Sequence, residues 1–266
     1  MVLSTTKEKI MDKDFNEKVV LVTGAGSGIG REAALLFAAR GARVYAADLN
    51  PQGLEETLGL AQEAGGRLFT ATVNVAQEGE VAALLALIDR EAGRLDAAFN
   101  NAGITGGTHR IEDYPADDFD RVIGVNLRSV FLGMKYQIPL LLRRGGTIVN
   151  TASVAAVTGP GGMSAYAASK HGVQGLTRVA AMENAARGIR INAIAPGWTE
   201  TPMVVANSAQ NPAFAALAKQ AIPAKRGAHP REIAEAAVWL SSAASSYVHG
   251  QLLVVDGGMT IGGFEL

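Results

Sequence analysis

Short runs of β-branched and apolar residues alternate along this chain with Ala- and Leu-rich stretches of helical spacing. Lys18–Thr23 (KVVLVT) reads as a first strand. From Gly28 to Arg40, Ile29, Ala33, Leu36 and Phe37 recur at helical spacing, and Gly41 closes that helix in the usual C-terminal glycine position. Arg43–Ala47 is a second strand, and Pro51 sits where a first helical turn tolerates proline. Arg67–Val73 is a third strand, Gln77–Ala92 a helix ended by Gly93, and Leu95–Phe99 a fourth strand. Ala116 to Leu142 forms one long helical stretch that Pro139 should kink or shorten. Gly146–Thr151, Ile189–Ala195 and Leu252–Val255 complete the strands. Helices over Ser164–Arg187 and Pro230–Ser242 complete the pattern, the second marked by Ile233, Ala236, Ala237 and Leu240. The least regular segment, Trp198 to Arg226, is the natural place for a mobile lid.

The strands are almost continuous apolar runs, which suits a parallel sheet covered on both faces. Repeated βα units imply right-handed crossovers. The expected fold class is therefore α/β: a doubly wound parallel sheet in a single domain, with helices on both faces. Composition agrees, with 48% apolar and 18% charged residues. The net charge of −1 gives no electrostatic footprint for nucleic acid or an anionic membrane. There is no cysteine, which excludes disulfides, thiolate nucleophiles and Cys-built metal sites. His109, His171, His229 and His249 form no HExxH or HxH pair, so no metal site is expected. No apolar run approaches the roughly 18 residues of a spanning helix. Residues 1–16 read as a polar tail without the apolar stretch of a signal peptide, and a cytoplasmic protein is the default expectation.

Thr23-Gly24-Ala25-Gly26-Ser27-Gly28-Ile29-Gly30 follows the first strand and opens the first helix. Glycines there permit a tight turn and let backbone N–H groups approach a pyrophosphate at the helix N-terminus. The spacing is G-x-x-x-G-x-G, because Ile29 stands where G-x-G-x-x-G has its last glycine. Asp48 ends the second strand 20 residues after Gly28. An acidic residue at that distance binds the adenosine ribose hydroxyls and repels a 2′-phosphate. This points to a Rossmann-like nucleotide fold that takes NAD rather than NADP, although Arg31 and Arg43 are nearby in sequence.

Tyr166 and Lys170 are four residues apart on a predicted helix, one turn apart on the same face. Ser153 lies just past the end of the fifth strand, and ligands of open α/β sheets bind beyond the carboxyl ends of strands. A free phenol has a pKa near ~10, too high for an efficient base at neutral pH. An ammonium one turn away, helped by the positive charge of an oxidised nicotinamide, would favour phenolate. Tyr166 would then take an alcohol proton as hydride leaves, and Ser153 would hold the substrate oxygen.

With these residues the sequence resembles the short-chain dehydrogenase/reductase family over about Asn16 to Gly258. The motifs stand as TGxxxGIG (Thr23–Gly30), NNAG (Asn100–Gly103), Asn126, Ser153, YAASK (Tyr166–Lys170) and Pro196-Gly197, in family order. The resemblance implies one dinucleotide-binding catalytic domain over residues 17–266 and an NAD-dependent interconversion of a secondary alcohol and a ketone. It implies catalytic roles for Asn126, Ser153, Tyr166 and Lys170, with Asn126 binding a water that links Lys170 to solvent. It places Gly24, Ser27, Gly28, Ile29, Gly30 and Asp48 on the cofactor, with Asn74 and Val75 flanking the adenine. Asn101, Gly103, Tyr166, Lys170, Pro196, Gly197 and Thr199 would line the rest of the cofactor. Some relatives carry Asp where this chain has Asn74. Asn100 is expected to stabilise the central strand instead of touching ligand. The family assembles as dimers or tetramers through two long helices, here Ala116–Leu142 and Ser164–Arg187, where Gly133, Ala167, Ala168, Gly172 and Gly175 are small enough for close contact. The apolar positions Ile261, Phe264 and Leu266 of the tail after Gly258 are a hypothetical dock for a neighbouring subunit.

Substrate choice should come from Ile104–Tyr114, from Val154–Met163 and from the lid. Met163, Trp198, Met203 and Val204 point to an apolar pocket, and His109 and Arg110 to a polar contact. This favours a hydrophobic cyclic or aromatic secondary alcohol over an acyl-carrier or sugar substrate. A non-catalytic NAD-binding regulator would be expected to lose Tyr166, Lys170 or Ser153, and all are present. A hydrolase is the remaining class. Ser4-Thr5-Thr6-Lys7 matches S-x-x-K only formally, in the polar tail and without companion motifs.

Overall fold

A computed structural model describes residues 13–210 and 212–261. Its seven strands are β1 (Val19–Thr23), β2 (Arg43–Asp48), β3 (Arg67–Thr72), β4 (Ala97–Asn100), β5 (Gly146–Thr151), β6 (Ile189–Pro196) and β7 (Leu252–Val255). They form one sheet in the order β3-β2-β1-β4-β5-β6-β7, and every pair is parallel. The expected doubly wound α/β fold is therefore observed. The apolar strands are continuous because both faces are covered: β1 is buried at all five positions and β6 at seven of eight. At the sheet edge, β3 buries only Leu68, and the rest of the strand meets solvent to differing degrees.

Helices α1 (Gly28–Ala39), α2 (Pro51–Glu63) and α9 (Pro230–Ser241) cover one face, with Leu36, Phe37, Leu54, Ile233 and Leu240 in a common core. On the other face lie α3 (Glu78–Ala92), α5 (Ser129–Leu141) and α6 (Ser164–Asn184), with Leu84, Ile88, Leu132, Leu141 and Val173 in theirs. The predicted helix over Ala116–Leu142 is interrupted. Helix α4 (Ala116–Ile123) passes into a π-turn at Gly124–Arg128 before α5 begins. Pro139 lies inside α5, which ends two residues later at Leu141. The expectation of irregular chain over Trp198–Arg226 is corrected: α7 (Pro202–Gln210) and α8 (Pro212–Ala221) fill most of it. Each opens on proline, whose missing N–H costs nothing in a first turn.

The leading tail expected over residues 1–16, with its Ser4–Lys7 match, lies outside the described residues up to position 12. Phe15 departs from the polar reading: it is fully buried, edge-on to Phe37 at 4.9 Å between ring centroids. The end of that tail is thus part of the core. The described end of the C-terminal tail, Ile261, is 89% exposed, while Phe264 and Leu266 lie outside the described residues. Among the described residues no helix is long and apolar enough to cross a membrane.

Removing the Phe15 ring leaves a cavity against α1. Phe15→Ala should cost about 3–5 kcal/mol of unfolding free energy, read from urea-induced unfolding. A loss below roughly 1 kcal/mol, the size of a typical surface change, would show that this segment stands outside the cooperative unit.

Candidate active site

The chain crosses from β3 at one edge back to β4 beside β1, so the loops after β1 and β4 diverge and leave a crevice. That crevice is a cleft of about 750 Å³ running from Asp48 past the glycine loop to Ser153 and Tyr166. Two residues close its floor. Thr23 Oγ1 accepts the N–H groups of Asn101 (3.0 Å) and Ala102 (3.2 Å), and Asn101 Nδ2 donates to the carbonyls of Thr23 (3.2 Å) and Gly24 (3.4 Å). Gly24 has φ +68°, and a Cβ there would meet Asn101 Nδ2 at 2.8 Å. Only glycine suits both the conformation and the space.

At one end, Ser27, Gly28 and Ile29 line the cleft where α1 begins. The N-cap Ser27 makes no side-chain cap, so the first N–H groups of α1 have no acceptor within the helix. Gly30 is not in the cleft lining; a Cβ there would overlap the Gly24 carbonyl, so α1 packs closely on the loop at this point. Asp48 lines the cleft and accepts N–H groups from Gly26 (2.8 Å) and Asn50 (2.9 Å). Asn74 and Val75 form the neighbouring wall, and Asn74 Oδ1 accepts the Ala76 N–H at 3.1 Å. An uncapped helix start, glycines packed too tightly for a Cβ and a carboxylate at the end of β2 are the features a dinucleotide needs, and the residues present fit one.

At the other end, Tyr166 and Lys170 project from the first two turns of α6, and Ser153 follows β5. All three line the cleft, as do Asn101, Gly103, Pro196, Gly197 and Thr199. Lys170 is 3% exposed; its Nζ donates to the Thr151 carbonyl at 2.8 Å and lies 5.5 Å from the Tyr166 ring centroid. Burial pushes its ammonium down to about 8. Burial pushes the Tyr166 phenol up, and a hydrogen bond with Ser153 draws it part of the way back. The expected shift towards phenolate invokes the Lys170 ammonium together with an oxidised nicotinamide, and these values belong to the chain without that ring. In the free protein desolvation outweighs the Ser153 hydrogen bond, and the phenol stands above its ordinary value.

Asn126 is fully buried on the π-turn, behind the cleft wall. Its Oδ1 accepts the Ile104 N–H (2.8 Å), and its Nδ2 donates to the Ile104 carbonyl (2.8 Å) and Ser169 Oγ (3.2 Å). The amide thus clamps the peptide groups that follow Gly103. Asn100 is also buried, bonded to Gln137 (2.7 Å) and Asn150 (2.9 Å), as expected for a residue that ties the central strands.

Of the apolar substrate residues, Met203 and Val204 line the cleft, whereas Met163 and Trp198 are not in its lining. His109 and Arg110 are exposed outside it. Sequence reading missed Thr201, which seats α7 on the loop: a Cβ on Gly28 would meet its Cγ2 at 3.1 Å. It also missed Asp118. This carboxylate accepts the Gly107 N–H (2.7 Å) and the Tyr114 hydroxyl (3.2 Å), and pins the loop after Gly103 to α4. Neither belongs to a motif, so no local signal marks them.

A family model described as Enoyl-(Acyl carrier protein) reductase matches residues 24–260. Levodione reductase of Leifsonia aquatica is 42% identical over 254 residues, covering 92% of this chain and 95% of its own. Cyclohexanol dehydrogenase of Acinetobacter sp. (strain SE19) is 41% identical, covering 95% and 99%. The crystal structure of levodione reductase superposes with a TM-score of 0.90 at 40% identity, over 93% of this chain and 99% of that one. A xylitol dehydrogenase solved with NAD+ (TM-score 0.88, 33% identity, 92% and 99% covered) is also similar. So is a Beutenbergia cavernae protein solved with NADP (TM-score 0.89, 36% identity, 95% and 100% covered).

The lowered ammonium of Lys170 makes a stability prediction. Its folded-state pKa lies below the unfolded value, so the buried charge costs stability at and below pH 8. That cost is relieved as pH rises from about 8 to 10.5. It is on the order of 3 kcal/mol at neutral pH, and the Thr151 carbonyl's hydrogen bond offsets part of it. Lys170→Met should lack the alkaline gain, so its stability relative to wild type should decline across that window. Urea unfolding at stepped pH reads the difference; a constant difference would contradict the buried-charge account.

Proposed function

We propose that this chain, which belongs to the short-chain dehydrogenase/reductase family, is an NAD-dependent oxidoreductase that interconverts a secondary alcohol and a ketone. Tyr166 is its acid/base, and the substrate is a hydrophobic cyclic or aromatic small molecule. The observation that carries the reading is the convergence of Ser153, Tyr166 and Lys170 on one end of a cleft whose other end carries the glycine loop and Asp48. The substrate class is supported by the names of the levodione and cyclohexanol relatives and by Ile104, Met203 and Val204 in the lining.

The bound nicotinamide supplies hydride acceptance and, when oxidised, a positive charge. Everything else falls to side chains of this chain. Ser153 holds the substrate oxygen. Tyr166, its proton held in the free protein by burial, donates to a ketone oxygen in reduction and takes the alcohol proton in oxidation. Lys170, fixed by the Thr151 carbonyl, lies beside the phenol and would hold the nicotinamide ribose. Asn126 spends both amide hydrogens on Ile104 and Ser169 and one Oδ1 lone pair on the Ile104 N–H. The remaining lone pair is what it offers a relay water. Gly24, Ser27, Gly28 and Ile29 would hold the pyrophosphate. Asn74 and Val75 would flank the adenine, and Asn101, Gly103, Pro196, Gly197 and Thr199 would shape the nicotinamide end.

NAD is favoured over NADP because Asp48 places a carboxylate at the ribose end. The nearby Arg31 is engaged with Glu56 (2.7 Å) and Thr57 (3.0 Å). Arg43 lies over the Phe69 ring, 5.5 Å from its centroid. A second reading, a reductase of acyl-carrier substrates, is favoured by the description of the matching family model. Assembly as a dimer or tetramer through α4–α5 and α6 is supported by the exposed Phe131, Val179 and Met182 and by open space at Gly175. Gly133 packs on Asn100, and Gly172 packs on Leu127, within the chain.

A panel of cyclic alcohols, ketones and acyl thioesters with NAD(H) and NADP(H), followed by nicotinamide absorbance, tests the assignment. Tyr166→Phe should lower kcat/KM by about 10²–10⁴-fold with nucleotide affinity intact; retention of most activity would sink the mechanism. In wild type the raised phenol makes alcohol oxidation faster with rising pH and ketone reduction slower, and Tyr166→Phe should lose both trends. Asp48→Asn keeps an acceptor for the Gly26 N–H but removes the charge. It should improve the NADP-to-NAD ratio by roughly tenfold or more, and an unchanged ratio would assign selectivity to another group.

A further inference from the structure

Between β1 and α1 the chain must turn within a few residues, and its carbonyl oxygens turn with it. An oxygen left facing the cleft would repel a phosphate and cancel the attraction of the N–H groups at the start of α1. In this chain the carbonyls of Gly24, Ala25 and Gly26 each meet a donor from elsewhere. Asn101 Nδ2 serves Gly24 at 3.4 Å. The Thr57 hydroxyl lies 2.9 Å from the Ala25 carbonyl, and Arg31 Nη2 bonds the Gly26 carbonyl.

Thr57 and Arg31 are bound to one another. Arg31 Nε donates to Thr57 Oγ1 at 3.0 Å, which leaves the hydroxyl proton for a carbonyl. That proton is shared between Ala25 and Gly53, each 2.9 Å away, and Arg31 Nη2 also reaches Gly53 at 3.3 Å. Glu56 holds the guanidinium from the solvent side at 2.7 Å. Thr57 is fully buried, although it sits on α2, which contributes nothing to the cleft lining. The first turn of α2 is pressed onto the loop: a Cβ on Gly53 would lie 2.6 Å from the Gly26 oxygen. The N–H groups of Ala25 and Gly26 are also taken, by the Ala47 carbonyl (3.1 Å) and Asp48 (2.8 Å). What remains for the cleft is the uncapped start of α1.

We propose that Thr57 and Arg31 are positioning residues for the dinucleotide: they hold the Ala25 and Gly26 carbonyls away, so that the loop meets a pyrophosphate with N–H donors alone. This rests on the nucleotide reading given above. It makes Arg31 a ligand of the loop and not of a phosphate, despite its charge. The order of contact is α2 to Arg31 to loop to anion.

The test uses the full chain and needs no turnover. NADH is titrated by fluorescence, ADP by competition against it, and adenosine, which lacks the phosphates, by ligand line broadening. Thr57→Val keeps the shape of the side chain and removes its hydrogen bonds. It should weaken NADH and ADP about tenfold, the equivalent of one hydrogen bond of ~1.4 kcal/mol, and leave adenosine unchanged. Thr57→Ser should restore both, and Arg31→Met should reproduce the loss. Should Thr57→Val fail to fold, Thr57→Ala and Arg31→Lys read the same three ligands. Wild-type affinity for NADH and ADP in a folded variant would overturn the proposal. So would an equal loss for adenosine, which marks a general loosening of the fold. A wild-type chain that binds none of the three would sink the nucleotide reading itself, an outcome distinct from either.

Discussion

The pairing of β1 with β4 is the constraint on which everything at the cleft depends. Because the chain returns from the β3 edge to the middle of the sheet, the loops after β1 and β4 leave neighbouring strands in opposite directions. A crevice opens there without any side chain having to create it. Thr23 and Asn101 then tie the two strand ends together across that seam. The glycine loop, the Asn101–Gly103 turn and the end of β5 consequently sit at fixed distances from one another, and α6 needs only to lie against β5 for Tyr166 and Lys170 to reach the same space.

Within that space burial and hydrogen bonding pull in opposite directions. Lys170 is placed almost out of contact with water and held by one carbonyl, so its ammonium is costly. Burial pushes the half-buried Tyr166 phenol up, and the Ser153 hydrogen bond works against that shift. At the opposite end the carbonyls of Gly24, Ala25 and Gly26 are each bonded to a side-chain donor, and the start of α1 is left without a side-chain cap.

Much of this was legible in the residues themselves. The strand runs, the glycine spacing, Asp48 at the end of β2 and the four-residue step from Tyr166 to Lys170 all follow from local rules of backbone geometry, and these elements stand where those rules predict. The failures share a cause. Phe15 looked like part of a polar tail because its neighbours Lys13, Asp14 and Asn16 are polar, yet one ring was enough to anchor the segment on Phe37. The polar run Asn207–Asn211 hid the regularity of α7 and α8. Met163 and Trp198 looked like pocket residues by type, but their place depends on how the loops close. Thr57, Arg31 and Asp118 carry no motif, since each acts through partners distant in sequence.

The π-turn at Gly124–Arg128 carries a consequence for how this chain tolerates change in length. A π-turn is an α-helix holding one surplus residue, bonded across five positions instead of four. Excising that residue would mend the helical ladder, and by local propensity it would be an improvement. It would also swing everything upstream about 100° around the axis, taking Asp118 off Gly107 and breaking the grip on Ile104. The locally worse helix is thus the one that keeps its two ends facing the correct neighbours, and length variation between relatives should avoid this turn and gather in the exposed loops.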